Sequence, residues 1–176
     1  APIVKNGSLM DETKVNLTYF MGNDESFSDG VKEDGSYICH GAYAMEGRYG
    51  IDVLISRVID TYSLLSGTAF EPETEEAMNQ FYWMMDVFKP LMMDSGIMTQ
   101  SNGREPQSAL SMGPVVIKGA LKLLGCFGPK EDLQLKQFIR DIIIGETDAV
   151  TQKAYARYAA AIGDVNLVNI LKTVVF

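Results

Sequence analysis

The sequence predicts a mainly α protein with about five to six helices in an antiparallel, bundle-like packing, preceded by an extended or small-hairpin N-terminal arm. Apolar residues recur at helical spacing over residues 51–66, and a wider apolar run follows over 71–96. Further helical runs over 106–176 are separated by glycine and proline. We expect an arm with an acidic loop over 1–50 and a helical domain over 51–176, folded together as one domain, since 176 residues is an ordinary domain size.

The first fifty residues carry signals of extended structure. Asn6-Gly7 lies between short apolar pairs, which is a hairpin signal. Apolar and polar side chains nearly alternate over residues 15–21, as in a half-buried strand. Residues 22–36 are an acidic, glycine-rich loop, but a calcium-binding EF-hand is excluded because Phe27 and Ser36 occupy positions that need a carboxylate or amide ligand.

Residues 51–66 form the clearest amphipathic helix of the chain. One stripe of this helix holds Ile51, Leu54, Ile55, Val58, Ile59, Tyr62 and Leu65. Gly67 follows directly and predicts the end of the helix, because glycine readily adopts the left-handed conformation of a helix C-terminus.

The next helix is predicted to begin at Pro72 and to stop or kink at Pro90. Its apolar face is wider than one helix contact needs, so we expect it to be central and mostly core. Methionine also suits adaptable binding surfaces. The candidates for an interaction surface or an apolar-ligand site are therefore Met78, Phe81, Trp83, Met84, Met85, Phe88, Met92 and Met93.

The second half of the chain predicts a hinge-like loop over residues 99–105, followed by short-linked helices. We expect these helices over about 115–124, 129–145, 147–162 and 164–175, from their apolar spacing and from the glycines and prolines between them. Connections this short predict successive antiparallel hairpins.

The sequence predicts no catalytic or metal-binding residues and no cofactor. His40 is the only histidine, and its neighbour Cys39 would normally point in a different direction. A catalytic pair would need Cys126 or a carboxylate brought in by the fold. Asp86 and Asp94 lie near apolar residues, but neither has a partner that the sequence reveals.

Cys39 and Cys126 are the only cysteines, and a disulfide between them and two free buried thiols are both compatible with the sequence. Asn6 and Asn16 begin N-glycosylation acceptor patterns, which matter only in a eukaryotic secretory setting.

The net charge of −8 comes from the first half of the chain, and Lys and Arg are not clustered. Nucleic-acid binding is therefore disfavoured, because it depends on grouped cations that neutralise phosphates. No apolar run reaches the roughly 20 residues of a membrane-spanning helix. We expect a soluble or peripheral protein, and a first residue other than Met fits either cytoplasmic processing or a removed signal or transit segment.

The leading functional hypothesis is a non-catalytic structural or interaction subunit of a larger assembly. It would contact protein neighbours, or further copies of itself, through its arm and its Met/aromatic helix. A helical carrier of an apolar ligand or pigment is the first alternative. An enzyme of unknown class is the second alternative.

Overall fold

The computed structural model describes residues 6–22, 29–40, 43–44, 46–94, 96–102, 112–148, 151 and 155–165. These ranges hold six helices, so the predicted mainly α class is confirmed. The helices are α1 (Gly7–Met21), α2 (Glu46–Ile59 in π geometry, continued by Asp60–Leu65), α3 (Thr74–Tyr82, then Trp83–Phe88 in π geometry, then Lys89–Leu91), α4 (Gly113–Leu123), α5 (Pro129–Gly145) and α6 (Ala156–Ala161).

Two small antiparallel sheets accompany the helices. In the first sheet, β1 (Gly30–Val31), β2 (Tyr37–Cys39) and β3 (Tyr43–Ala44) lie side by side in chain order. The second sheet pairs β4 (Met92–Met93) with β5 (Gly96–Ile97). Strand β2 of the first sheet packs against the π-helical part of α2, Glu46–Ile59.

The predicted hairpin at Asn6-Gly7 and strand over 15–21 are wrong, because this segment is α1. Asn6 is the N-cap of α1, and its side-chain oxygen accepts a hydrogen bond from the Leu9 N–H at 3.2 Å. Leu17 and Met21, one helical turn apart, are buried against α3, and the Met21 carbonyl accepts from the Asn79 amide at 2.8 Å. Burial against α3 thus favours the helical spacing over the alternating one.

The core is centred on α2, and all seven residues of its predicted stripe are buried. The helix begins at Glu46 rather than Ile51, so the predicted division at residue 50 falls within it. Helix α4 packs on α2 and on α5, and α5 packs on α6. The core thus forms where the apolar faces of successive helices meet.

Helix α3 supplies the large side chains of this core. Trp83, Met84 and Phe88 are fully buried, and the helix ends one residue after Pro90. A π-helical stretch, Trp83–Phe88, directly precedes the last turn that holds Pro90. Among the other predicted interaction candidates, Phe81 is buried, Met78, Met85 and Met92 are partly buried and Met93 is exposed. A binding role for this surface stays a prediction.

Gly119 of α4 lies against side chains of both α2 and α3. A Cβ atom at this position would lie 2.6 Å from Ile55 Cγ2 and 2.9 Å from Met84 Cε. We expect Gly119→Ala to lower the free energy of unfolding by about 1–3 kcal/mol because the core would be overpacked. Urea denaturation measures this difference.

Gly7→Ala is the matched control for Gly119→Ala. It lies at the start of α1, where an added Cβ meets nothing within 4 Å. Alanine there should leave stability unchanged or raise it by up to about 1 kcal/mol. Equal stability of the two variants would contradict the close packing at Gly119.

The connection between α2 and α3 is held by the carboxylate of Glu71. Its oxygens accept hydrogen bonds from the Gly67 N–H at 2.8 Å and from the Tyr62 and Ser66 hydroxyls, each at 3.0 Å. Burial raises the pKa of Glu71, but the bonds from Gly67, Tyr62 and Ser66 outweigh burial and leave this pKa below its ordinary value. The ionised carboxylate therefore stabilises the folded state.

We expect Glu71→Gln to lower the free energy of unfolding by about 1–3 kcal/mol near neutral pH, since charge-assisted hydrogen bonds are lost. Glu71 contributes its full stability above the pKa of the unfolded chain and loses it as pH falls through the lower pKa of the folded protein. The deficit of the variant, measured by denaturation over a pH series, should therefore shrink in acid. Glu73→Gln is the control, because Glu73 is exposed and its distance to Lys14 is 3.7 Å.

In the second half of the chain, the predicted helices over about 115–124 and 129–145 are confirmed as α4 and α5. Helix α5 spans Pro129–Gly145 and buries Leu135, Phe138, Ile139, Ile142 and Ile143, as predicted. Residues 99–102 form a 3₁₀ turn within the predicted loop, whereas 103–111 lie outside the described residues. Of the predicted helix over 147–162, α6 is described, and the predicted last helix falls almost entirely outside the described residues. None of the helices described is long and apolar enough to cross a membrane.

Candidate functional site

The first sheet brings a carboxylate next to Cys39. Gly30 pairs with Ile38 in the antiparallel register of β1 and β2, so Asp29 and Cys39 are the next cross-strand neighbours. The Cys39 thiol donates a hydrogen bond to Asp29 Oδ2 at 3.7 Å. Cys39 is buried and Asp29 is exposed, so this pair reaches from the core to the surface.

His40 follows Cys39 in a left-handed conformation, with a φ of 55°. A residue in this conformation interrupts the alternation of side chains along a strand. As a result, a ring nitrogen of His40, the Cys39 sulfur and an Asp29 oxygen all lie within 4.8 Å of one another. The sequence argument that adjacent residues point apart fails here because the turn after β2 redirects His40.

Tyr49, near the start of α2, completes the site. Its ring meets the His40 ring edge-on, with ring centroids 5.4 Å apart and planes at 86°. His40 is exposed and Tyr49 is half-buried, so the pair lies at the surface of the protein. Imidazole and phenol are both groups that transfer protons in enzymes.

The start of α2 is held in place by two contacts. Gly47 lies against the 3₁₀ turn, where an added Cβ would come within 2.8 Å of Ser101 Oγ. The neighbouring Arg48 forms an ion pair with Asp52 at 2.5 Å, one turn along the helix. The first contact joins the first turn of α2, which also carries Tyr49, to the 3₁₀ turn, and the second lies within α2.

A cavity of about 690 Å³ opens beside the site between α1, the first sheet and α2. Asp29 belongs both to this cavity and to the cluster with Cys39 and His40. The other lining residues are Thr18, Tyr19, Phe20, Gly22, Gly30, Val31, Tyr37, Val53, Leu54, Arg57, Val58 and Glu76. The cavity therefore combines aromatic surface with a cationic side chain.

Tyr37 lies at the floor of this cavity with its ring buried. Burial, followed by the negative charges of Cys39 and Asp29, raises the pKa of Tyr37, against a smaller opposing effect of Arg57. Its hydroxyl therefore stays protonated.

The site contains none of the predicted interaction candidates. The helix that carries Trp83, Met84 and Phe88 belongs to the core, and Asp86 and Asp94 lie outside the cluster of Asp29, Cys39 and His40. Arg104 lies outside the described residues. No disulfide joins Cys39 and Cys126 in the structure, so the bridge considered from the sequence is not formed there.

Sequence reasoning weighed His40 and Cys39, and weighed Asp29 only as part of a calcium loop, but it missed Tyr49 and the proximity of Asp29 to Cys39. Asp29 belongs to an acidic segment of the sequence, and the sequence does not reveal that the following residues, Gly30–Val31, pair with β2. One signal for Tyr49 was nevertheless present in the sequence. The segment 47–50, which contains this tyrosine between two glycines, follows the only histidine within ten residues.

Comparisons with known proteins identify a family. Residues 6–141 match the model of polysaccharide lyase family 8, N terminal alpha-helical domain. The chain is 32% identical over 77 residues to the xanthan lyase of Bacillus sp. (strain GL1), which is 44% of this chain and 8% of that protein. It is 26% identical over 119 residues to the hyaluronate lyase of Staphylococcus aureus (strain NCTC 8325 / PS 47), which is 65% of this chain and 15% of that protein.

Two solved structures share the fold. A Paenibacillus xanthan lyase superposes on 94% of this chain with a TM-score of 0.77 and 21% sequence identity. A Streptomyces coelicolor A3 chondroitin AC lyase superposes on 96% of this chain with a TM-score of 0.76 and 19% sequence identity. The chain covers 16% and 24% of these two structures, so it corresponds to a small part of each.

These findings overturn the leading functional prediction. A non-catalytic structural or assembly subunit is wrong, because the matches are to lyases, and the preference against an enzyme is not supported. A match to a lyase family agrees with the second alternative, which was an enzyme of unknown class. Because the family model matches residues 6–141, well over half of the 176, this chain belongs to the polysaccharide lyase family 8, N terminal alpha-helical domain.

Proposed function

We propose that this chain is the helical part of a lyase that cleaves carboxylate-bearing polysaccharides, with His40 and Tyr49 as its proton-transfer pair. The observation that carries the proposal is the ring contact between His40 and Tyr49 in a member of this family. Xanthan, hyaluronate and chondroitin, which are named in the relatives, all carry carboxylate groups.

Elimination requires two proton transfers. A base removes the proton from the sugar carbon next to the carboxylate while the C–O bond to the neighbouring sugar breaks, so that a C=C bond forms. The departing oxygen then takes a proton from an acid, and no water is consumed. A base and an acid side by side can therefore serve both ends of the reaction.

His40 and Tyr49 divide naturally between these two roles. Neutral imidazole accepts a proton readily near neutral pH, whereas a phenol retains its own proton there. We assign His40 as the base and Tyr49 as the acid that protonates the departing oxygen. The left-handed backbone at His40 supports this role, because such strained conformations are concentrated at functional sites.

The surroundings of the pair suit an acidic sugar chain. Tyr19 and Phe20 at the cavity, and Tyr43 on β3, expose aromatic surface on which sugar rings can stack. Arg57 lines the cavity and offers a positive charge to a carboxylate. The two carboxylates of the cavity lining, Asp29 and Glu76, leave Arg57 as its one cationic side chain among the described residues.

The test is an assay with xanthan, hyaluronate and chondroitin that follows both ultraviolet absorbance and new reducing ends. Elimination produces a C=C bond conjugated with a carboxylate, so absorbance should rise together with the reducing ends. Because the chain corresponds to a small part of its relatives, the assay is done with the chain and with any natural polypeptide that contains it. Reducing ends without absorbance would indicate hydrolysis, and no product from either preparation would also refute the proposal.

A further inference from the structure

The side chains of Asp29, Cys39 and His40 form a possible ligand set, and two of its members, Asp29 and Cys39, have no role in the proposed proton transfers. The three donors are a carboxylate oxygen, a sulfur and an imidazole nitrogen, and all lie within 4.8 Å of one another. Cys39 in particular has no part in an elimination reaction. The combination of sulfur, nitrogen and oxygen donors is one that zinc uses in proteins.

The distance between two of these donors, the Cys39 sulfur and the Asp29 oxygen, fits a tetrahedral metal ion. With Zn–S near 2.3 Å and Zn–O near 2.1 Å, two ligands at the tetrahedral angle are about 3.6 Å apart. The Cys39 sulfur and Asp29 Oδ2 are 3.7 Å apart. The distance within this pair therefore needs almost no adjustment for a metal ion to bind.

The backbone holds all three residues in place. Asp29 directly precedes β1, one position beyond the Gly30–Ile38 pair, which places it beside Cys39 of β2, and His40 follows β2 in a left-handed conformation. Cys39 is buried, while Asp29 and His40 are exposed, so the sulfur lies at the inner end of a site that opens to solvent. An ion could reach it without unfolding of the sheet.

We propose that Asp29, Cys39 and His40 bind a thiophilic divalent cation such as Zn²⁺, and that the bound ion inhibits the lyase by occupying His40. Thiolate and imidazole select zinc over calcium and magnesium. On binding, the Cys39 S–H bond breaks, its proton goes to solvent and a Zn–S bond forms without any change of oxidation state. Three protein ligands leave a fourth position for water.

The inhibitory part of this inference depends on the proposed function, because it requires that His40 acts as the base. A metal-bound imidazole nitrogen cannot accept a proton from the sugar. The binding part is independent of it, since it depends on the three donors alone. Metal affinity should rise with pH, because protons compete with the metal for the ligands.

Binding is tested by titrating the purified chain with Zn²⁺ in competition with a chromophoric chelator. We expect one ion per chain, with Ca²⁺ and Mg²⁺ unable to compete. Cys39→Ser, His40→Asn and Asp29→Asn should each weaken binding by roughly 100-fold or more, since even residues that only orient metal ligands contribute about 10–100-fold. Cys126→Ser is the matched control and should bind like the native chain, because Cys126 lies on the turn after α4 and outside the cluster.

Co²⁺ provides a second readout that does not depend on activity. Binding through Cys39 should produce a sulfur-to-cobalt charge-transfer band and the visible absorption of a tetrahedral site, both absent in Cys39→Ser. Asp29→Asn keeps the test valid if Cys39→Ser fails to fold, since Asp29 is exposed. The proposal is overturned if the native chain does not bind Zn²⁺, if Cys126→Ser abolishes binding, or if the cobalt spectrum lacks the sulfur band.

Inhibition is tested separately in the lyase assay. Zn²⁺ should abolish product formation, and a chelator should restore it. Product formation that continues at saturating Zn²⁺ would refute the inhibitory role. An inactive protein that still binds Zn²⁺ through Cys39 would instead refute the proposed function and leave the metal site standing, so the two failures can be told apart.

Discussion

His40→Asn is expected to lower kcat for polysaccharide cleavage by about 10²–10⁴-fold, the range that a positioned general base contributes. Asparagine tolerates the left-handed backbone found at His40, so the variant removes the imidazole with little added strain. Initial rates of ultraviolet absorbance increase at saturating substrate measure the effect. KM should change much less than kcat, because the lost interaction belongs to the transition state.

Tyr49→Phe should cause a loss in the same range, since it keeps the ring that contacts His40 and removes the acidic hydroxyl. Tyr82→Phe is the control, because Tyr82 lies on α3 and is 48% exposed. All three variants should melt close to the native temperature. Full activity in His40→Asn, or an equal loss in Tyr82→Phe, would show that the proton-transfer pair has been placed wrongly.

The second large effect is expected at Phe88. Its side chain is 0% exposed in the core beneath α3, and truncation to alanine would leave a cavity that rigid neighbouring helices fill only in part. We expect Phe88→Ala to lower the free energy of unfolding by about 3–5 kcal/mol. Chemical denaturation followed by circular dichroism measures the loss.

Met93→Ala is the control for Phe88→Ala, because Met93 is close to Phe88 in the sequence but lies at the surface. Met93 is 61% exposed on β4, so its truncation should change stability by no more than about 0.5 kcal/mol. A small effect at Phe88, or a comparable one at both positions, would contradict the assignment of this helix to the core. Comparing the stability losses of the two variants therefore tests whether the wide apolar face of α3 belongs to the core.

Local signals were sufficient for α5 and for most of α2. Pro129 at the first helical turn, acidic residues after it and a regular apolar stripe define α5 without reference to the rest of the chain. The stripe that begins at Ile51 likewise matches the buried face of α2. Such helices are predictable because capping, dipole and periodicity all favour the same structure.

Helix α1 was missed because its local signals conflict. Asn6-Gly7 fits both a hairpin turn and a helix N-cap, and the apolar residues over 15–21 fit two periods. Burial of Leu17 and Met21 against α3 decides between these periods, and the sequence does not show that α3 is the neighbour. The structure of a marginal segment is often set by the surface on which it packs.

The sequence by itself determined the helical class, the buried stripe of α2 and the burial of large side chains such as Trp83 and Phe88 in the helix that follows. Only the tertiary structure placed Asp29 opposite Cys39, turned His40 towards both of them, and brought Tyr49 against its ring. The physical reason is that helical periodicity is a short-range property of the chain. The site depends instead on strand register, on one left-handed residue and on the close packing of α2 against a distant turn.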